Sequence, residues 1–283
     1  MAATFLVQER LPLPLGTCVD NLYYMQGRVP YGREKVFPAP TFDLKINLGD
    51  PVVAFDSGDR SKETVCRDSW CMGVWTRHHV VQWPDQTHFI GVTFKPGGAY
   101  ALLGIPLIEF HNQIVSLDAI WGPSAAAELR ERLCEAPTPL RRLQLVAEIL
   151  GTRLRDKRPP SDLVRYATER IGQENGALTI RALCIEVGVS QRYLSTLFRQ
   201  FVGGSPKELA RLSRFSAMLN TINAMNRENL TSTAHSAQYF DQSHFCKEFK
   251  SFTGISPTDY LKRRSQVLVE SPGHAGHVRL LAT

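Results

Sequence analysis

One order of apolar and polar positions occurs twice near the C-terminal end of the chain. Ser190-Gln191-Arg192-Tyr193-Leu194, followed by Phe198, Phe201, Gly203, Ser205 and Pro206, returns 51 residues later as Asp241-Gln242-Ser243-His244-Phe245, followed by Phe249, Phe252, Gly254, Ser256 and Pro257. Upstream, Ile180 and Cys184 match Leu230 and Ala234 at an offset of 50. Such a period marks one supersecondary unit used twice. In the first copy, Thr179 is placed to cap a helix with Ile180, Leu183 and Val187 on one face. Gly188 turns the chain, and Ser190 caps a second helix carrying Leu194, Leu197, Phe198 and Phe201. The second copy repeats the plan with Leu230, Ala234 and Ala237, then the cap Asp241 and the stripe Phe245, Phe249, Phe252. Gly203 and Gly254 stop the second helices, and Pro206 and Pro257 suit the first turn of the next ones. Two helices joined by a short turn are either a DNA-binding helix-turn-helix or a plain buried hairpin. Matched caps, glycines and prolines in two copies favour the first.

Subtracting the apolar stripes leaves what each second helix shows to its surroundings. The first leaves Gln191, Arg192, Ser195, Thr196 and Arg199; the second leaves Gln242, Ser243, Cys246, Lys247 and Lys250. Neither set contains a carboxylate, although Glu248 flanks the second. These side chains donate to base edges and phosphates. Residues 157–264 hold 16 Lys and Arg against 9 Asp and Glu, a net of +7, while the whole chain is +6. The remainder is therefore near neutral, so the positive charge is confined to the repeat region, as a phosphate-binding domain requires. Between the units, Leu209, Leu212, Phe215, Leu219 and Ile222 keep helical spacing over about 206–223. Some 18 residues at ~1.5 Å each make a rod of roughly 27 Å, and successive major-groove turns lie ~34 Å apart.

Ala237-Gln-Tyr-Phe-Asp-Gln-Ser-His-Phe-Cys-Lys-Glu-Phe-Lys-Ser-Phe-Thr-Gly-Ile-Ser-Pro-Thr-Asp-Tyr260, with Arg263 and Arg264 beyond, resembles the signature of the AraC/XylS family of bacterial transcription regulators. The resemblance covers 161–264. It implies seven helices, two helix-turn-helix units and a rigid linking helix. It also implies base contacts from Arg192, Ser195 and Thr196 and from Gln242, Ser243, Cys246 and Lys247. Gln191, Arg199 and Lys250 are then the phosphate contacts. The family usually has Gly where this chain has Gln238. A left-handed conformation there costs a non-Gly residue about 1 kcal/mol.

The first 120 residues read as strands and turns. Phe42–Leu48 alternates before the turn Gly49-Asp50-Pro51, and Val52–Phe55, Gly73–Val81 and His88–Phe94 are further strand candidates. Many short strands make a small barrel or sandwich. Phe94-Lys-Pro-Gly-Gly-Ala-Tyr-Ala-Leu-Leu-Gly104, with Leu117-Asp118 and Trp121-Gly122, resembles the cupin-like sensor domain of one AraC-type subgroup. Helices follow at about Ser124–Cys134 and Pro139–Arg155. In the second, Leu140, Leu143, Ala147, Leu150 and Leu154 step by 3 and 4, the spacing of a dimer seam or of a helix packed on its own barrel. The fold class is thus α+β multidomain. A sensor and dimerisation domain spans 1–155, a Pro-rich linker 156–161, an all-α DNA-binding domain 162–264 and a loose tail 265–283.

Two readings remain for the barrel. Trp75, Arg77 and His79 fall on one face of the strand candidate, with Trp70 and Trp83 close by, which suits either a small-ligand pocket walled by Trp75, Arg77, His79 and Trp83 or an ordinary core. His78 and His79 are adjacent and point to opposite faces, so with His88 they make a poor metal set, and no metal or cofactor is expected. Six scattered cysteines show no disulfide framework; Cys66 and Cys71 are a candidate redox pair. No secretory signal or membrane span is read, which suits a bacterial cytoplasmic, nucleoid-associated protein. The expected partners are operator half-sites in adjacent major-groove turns of double-stranded DNA, a second copy of the chain, a small-molecule effector, and RNA polymerase in the case of an activator. Two rivals to a sequence-specific regulator are a DNA alkyl-repair methyl acceptor, which needs a clustered four-thiolate zinc site, and a non-specific architectural binder. No catalytic residue is apparent.

Overall fold

The structure is a computed structural model and describes residues 4–7, 11, 13–29, 32–56, 63–155, 162–224, 242–267 and 279–281. The expected linker 156–161, the turn at Gln238 and the cap Asp241 lie outside these residues. The N-terminal part is built of antiparallel strands β1 (Thr4–Val7), β2 (Val19–Gly27), β3 (Arg33–Val36), β4 (Phe42–Asn47), β5 (Val52–Asp56), β6 (Glu63–Cys66), β7 (Ser69–Met72), β8 (His79–Gln82), β9 (Thr87–Phe94) and β10 (Ile114–Ser116). A short helix α1 (Leu15–Cys18) precedes β2. Two sheets form, one in the order β1-β2-β9-β4-β7-β10, the other built on β3-β8-β5-β6. The second gains β11 (Arg279–Leu281), paired antiparallel with β3 in the register Arg279↔Val36. Arg279–Leu281, within the tail expected to be loose, thus extends a sheet.

The strand expected over Gly73–Val81 divides. β7 ends at Met72, residues 73–78 leave the ladder through a bend at 76–77, and β8 starts at His79. Phe42–Asn47 keeps its alternation, but neither face meets water. Phe42, Leu44 and Ile46 join the largest core, where the outer face of the first sheet packs under helices. Asp43 and Lys45 face inward, toward the second sheet.

The covering helices are α2 (Tyr100–Leu103), α3 (Asp118–Trp121), α4 (Pro123–Glu135) and α5 (Pro139–Arg155), with a 3-10 turn at Leu107–Phe110. The stripe expected as a dimer seam is used here. Leu143, Ala147, Leu150 and Leu154 are buried in the same core as β2, β4 and β9, and only Leu140, 54% exposed, stands outside. The 3-4 spacing is helix-on-barrel packing, because the outer face of the first sheet is apolar and must be covered.

The C-terminal part contains α6 (Asp162–Gln173), α7 (Ile180–Val187), α8 (Gln191–Phe201), α9 (Pro206–Ala224), α10 (Gln242–Thr253) and α11 (Pro257–Val267). Thr179 and Ser190 cap α7 and α8 by accepting from Ala182 N and Tyr193 N. Gly188, Gly203 and Gly254 have φ of 70, 91 and 73°, where only Gly is unstrained. The first unit closes its core from α6, α7, α8 and the start of α9, with Val164, Ile171, Leu183, Leu194, Phe198 and Leu209 at its centre. The second unit does not. Its cluster of Leu212, Phe215, Leu219, Phe245, Phe249, Phe252 and Tyr260 also takes in Phe37 and Val74 from the N-terminal part.

Candidate DNA interface and sensor cavity

On α8, Leu194 and Phe198 are buried while Gln191, Arg192, Thr196 and Arg199 are exposed. Ser195 is only half-buried, so it borders that face. The α8 face is rigid: capping fixes its first turn, Thr196 Oγ1 donates to Arg192 O at 3.1 Å, and Glu186 of α7 binds both the Tyr166 hydroxyl and Arg170 Nε of α6. On α10, Lys247 and Lys250 are exposed and Cys246 is half-buried against the Phe cluster. Gln242 and Ser243 open α10, but their side chains lie outside the described set. Glu248, read from sequence as a flank residue, is 7% exposed and accepts from Arg211 Nε of α9 at 2.6 Å. That pair, its carboxylate buried and its guanidinium partly exposed, ties α10 to α9. Tyr193, 53% exposed beside Arg192, is an aromatic surface on the same helix that the sequence reading assigned no role.

Each unit is held by the N-terminal part at equivalent positions of the repeat. His111 Nδ1 donates to Gly203 O at 2.8 Å, and a Cβ on Gly203 would stand 2.9 Å from Leu107 O. In the second unit, His78 N donates to Phe252 O at 3.0 Å, and a Cβ on Gly254 would stand 2.6 Å from the His78 ring. Tyr100 of α2 packs edge-on against Phe201 at 4.4 Å and accepts from Gln200 Nε2, while Lys35 Nζ reaches Thr253 O at 3.4 Å. Both glycine stops therefore serve twice, ending a helix and letting the N-terminal part approach, through the Leu107 backbone at Gly203 and the His78 ring at Gly254.

Between the two sheets lies a cavity of about 80 Å³. Trp70, Trp75, Trp83, Phe37 and Phe89 supply its aromatic wall; Glu34, Asp43, Lys45 and His79 are its charged or titratable residues. Lys45 Nζ donates to the Tyr23 hydroxyl, lies 3.6 Å from Asp43 Oδ1 and stands over the Tyr23 and Phe89 rings. Trp75 packs against His79 at 4.7 Å, and Trp83 stacks on Phe89 at 5.5 Å. Three of the four expected pocket residues, Trp75, His79 and Trp83, line this space. Arg77 does not: in the bend it turns outward and pairs with Asp56 at 2.6 Å, its side chain 43% exposed. The strand alternation that put it beside Trp75 does not hold outside a ladder. Burial pushes the Cys66 thiol on this wall up to about 12, and Cys71 faces the opposite side of the first sheet, so the two are not a redox pair. The remaining histidine, His88, bonds the Tyr24 hydroxyl at 3.0 Å; burial, with the Arg142 charge nearby, lowers its pKa.

Residues 183–263 match a family described as a helix-turn-helix domain, and they contain the repeat, both glycine stops and the AraC-type signature on one continuous stretch. This stretch is a helix-turn-helix domain of the AraC type. Residues 11–116 match a second family, a domain of unknown function. The raffinose operon transcriptional regulatory protein RafR of Pediococcus pentosaceus is 33% identical over 84 residues, 30% of this chain and 30% of that relative. Among solved structures, ToxT from Vibrio cholerae is 11% identical, with a TM-score of 0.47 over 86% of this chain and 98% of its own. The AraC-like transcriptional activator CuxR is 17% identical with a TM-score of 0.29 over 78% and 87%. Where the resemblance implies seven helices, six, α6–α11, lie among the described residues, and 225–241 lie outside them. Asp43, Lys45 and Glu34 of the cavity were missed from sequence. Alternation shows that a strand has two faces but not that its polar face meets a second sheet.

Proposed function

We propose that the protein is a sequence-specific transcription regulator that binds operator DNA through α8 and α10 and responds to a small molecule held in the N-terminal cavity. The observation that carries the first half is the exposed α8 face of Gln191, Arg192, Thr196 and Arg199, free of carboxylates and set on a capped helix. Two such units in one chain reach two major-groove turns without a second copy. Selection of binding sites from a randomised duplex library tests it. The full chain should enrich one site, and Arg192→Ala should lose ~1–3 kcal/mol on it while relaxing one or two base pairs. Lys250→Ala should weaken all sequences alike. No enrichment at low salt would leave a non-specific architectural binder as the better reading. The methyl-acceptor alternative has little support, since the six cysteines fall in separate parts of the fold and are all free.

The effector half rests on adjacency. Phe37 lines the cavity and also packs on Phe215 and Tyr260 of the second unit, with ring centroids at 6.4 and 5.9 Å. Val74 joins the second unit's core while Trp75 faces the cavity; His78 touches Gly254 while His79 faces the cavity. The first unit is held instead by α2 and the 3-10 turn, away from the cavity. A flat, amphipathic effector among the tryptophans therefore acts on the second unit, through its different affinity for two arrangements of that unit. Trp75→Ala should abolish the effector response of a reporter strain and keep basal operator binding. A normal response in that variant rejects the cavity as the effector site.

A further inference from the structure

A groove whose α9 residues have no role in the reading above runs between the two helix-turn-helix units. Its charged residues are Lys207, Arg211 and Arg214 of α9 and Lys247 and Glu248 of α10, and Thr179, the cap of α7, closes it on the side of the first unit. Four cations face one carboxylate. That carboxylate, Glu248, is buried and bound to Arg211, and Arg214 Nη2 is tethered to Gly176 O at 2.8 Å. Lys207 and Lys247 remain exposed, and neither forms an ion pair among the described residues. Lys207 holds no helix or core in place: it projects from the first turn of α9, whose capping is done by Ser205 and Glu208.

The position explains the charge. If α8 and α10 enter successive major-groove turns, the duplex between them presents its minor groove and two phosphate strands to the protein, about half a turn from each helix. The groove lies along α9, between the start of α7 in the first unit and α10 in the second. We infer that this groove is a DNA-backbone site, in which Lys207 binds a phosphate at the centre of the operator, between the two base-reading helices. The inference rests on the protein being a DNA-binding regulator. It adds a sequence-independent contact from the linking helix, otherwise only a spacer, and with it a preferred separation of the two half-sites.

The test uses the full chain and the duplex enriched from the library, with binding measured across salt concentrations. Lys207→Ala should reduce the slope of log K against log salt by about 0.9 and so weaken binding about eightfold at 0.1 M salt, equally for every sequence. Lys207→Arg should keep the slope. Replacing the central phosphates by uncharged methylphosphonates should weaken the unmodified chain and leave Lys207→Ala unaffected. An unchanged slope in Lys207→Ala, or an equal methylphosphonate effect in both proteins, overturns the groove site while the regulator reading stands. Failure of the unmodified chain to bind any duplex overturns both.

Discussion

At the scale of single residues, the capping side chains have an effect that can be measured. Ser205 and Glu208 form a reciprocal capping box at the start of α9: Ser205 N donates to Glu208 Oε2 at 2.7 Å, and Glu208 N donates to Ser205 Oγ at 3.2 Å. Burial opposes ionisation of Glu208, but the bonds from the Ser205 backbone and hydroxyl, with His111 and Arg211 nearby, outweigh it and hold the carboxyl below its ordinary 4.5. A depressed folded pKa stabilises above the unfolded value, and that contribution disappears as pH falls through the folded value. Glu208→Gln should therefore lower the urea midpoint at pH 7 and shrink the gap to the parent below pH 4.5. The effect should be small, because the carboxyl is 34% exposed and screened. A gap that widens in acid contradicts the assignment. Caps of this kind were readable from Ser-Pro-Lys-Glu alone, since they act within four residues. The outward turn of Arg77 was not, because it depends on where the sheet ladder stops.

At the scale of elements, α5 separates two meanings of one pattern. Its 3-4 spacing was legible, and so was the helix, which runs over Pro139–Arg155 as expected. Its partner was not legible, because a stripe of leucines covers a barrel or a second helix equally well. With Leu143 and Leu150 at 0 and 1% exposure, Leu143→Ala should cost ~2–5 kcal/mol by leaving a cavity. Leu140→Asp should change stability by no more than about 0.5 kcal/mol and leave the sedimentation coefficient untouched. Dissociation of an oligomer by Leu140→Asp would restore the seam. The same ambiguity applied to β4, where the hydrophobic face was identifiable and the destination of Asp43 and Lys45 was not.

At the scale of the whole molecule, the two repeats are equal in sequence plan and unequal in dependence. The first unit closes its own core, whereas the second includes Phe37 and Val74 of the N-terminal part. A fragment of 157–264, which the repeat and its charge suggest can stand alone, should then fold unevenly. Amide exchange should show α6, α7 and α8 protected as in the full chain, with α10 and α11 exchanging faster once the Phe37 cover over Phe215 and Tyr260 is gone. Equal protection in both units would show that the contact with the N-terminal part adds nothing to the second unit.

The amino-acid sequence by itself determined the features that act over a few residues or repeat along the chain: caps, glycine stops, apolar periods, the doubled unit and the charge confined to it. It was enough to place the AraC-type half. Tertiary structure alone decided which buried face meets which: α5 on its own barrel, polar residues of β4 in a cavity, Glu248 under Arg211, and the glycine stops under His111 and His78. An amphipathic element states that one of its faces must leave water. The surface that covers it is chosen by the packing of elements far apart in the chain, and no local period records that choice.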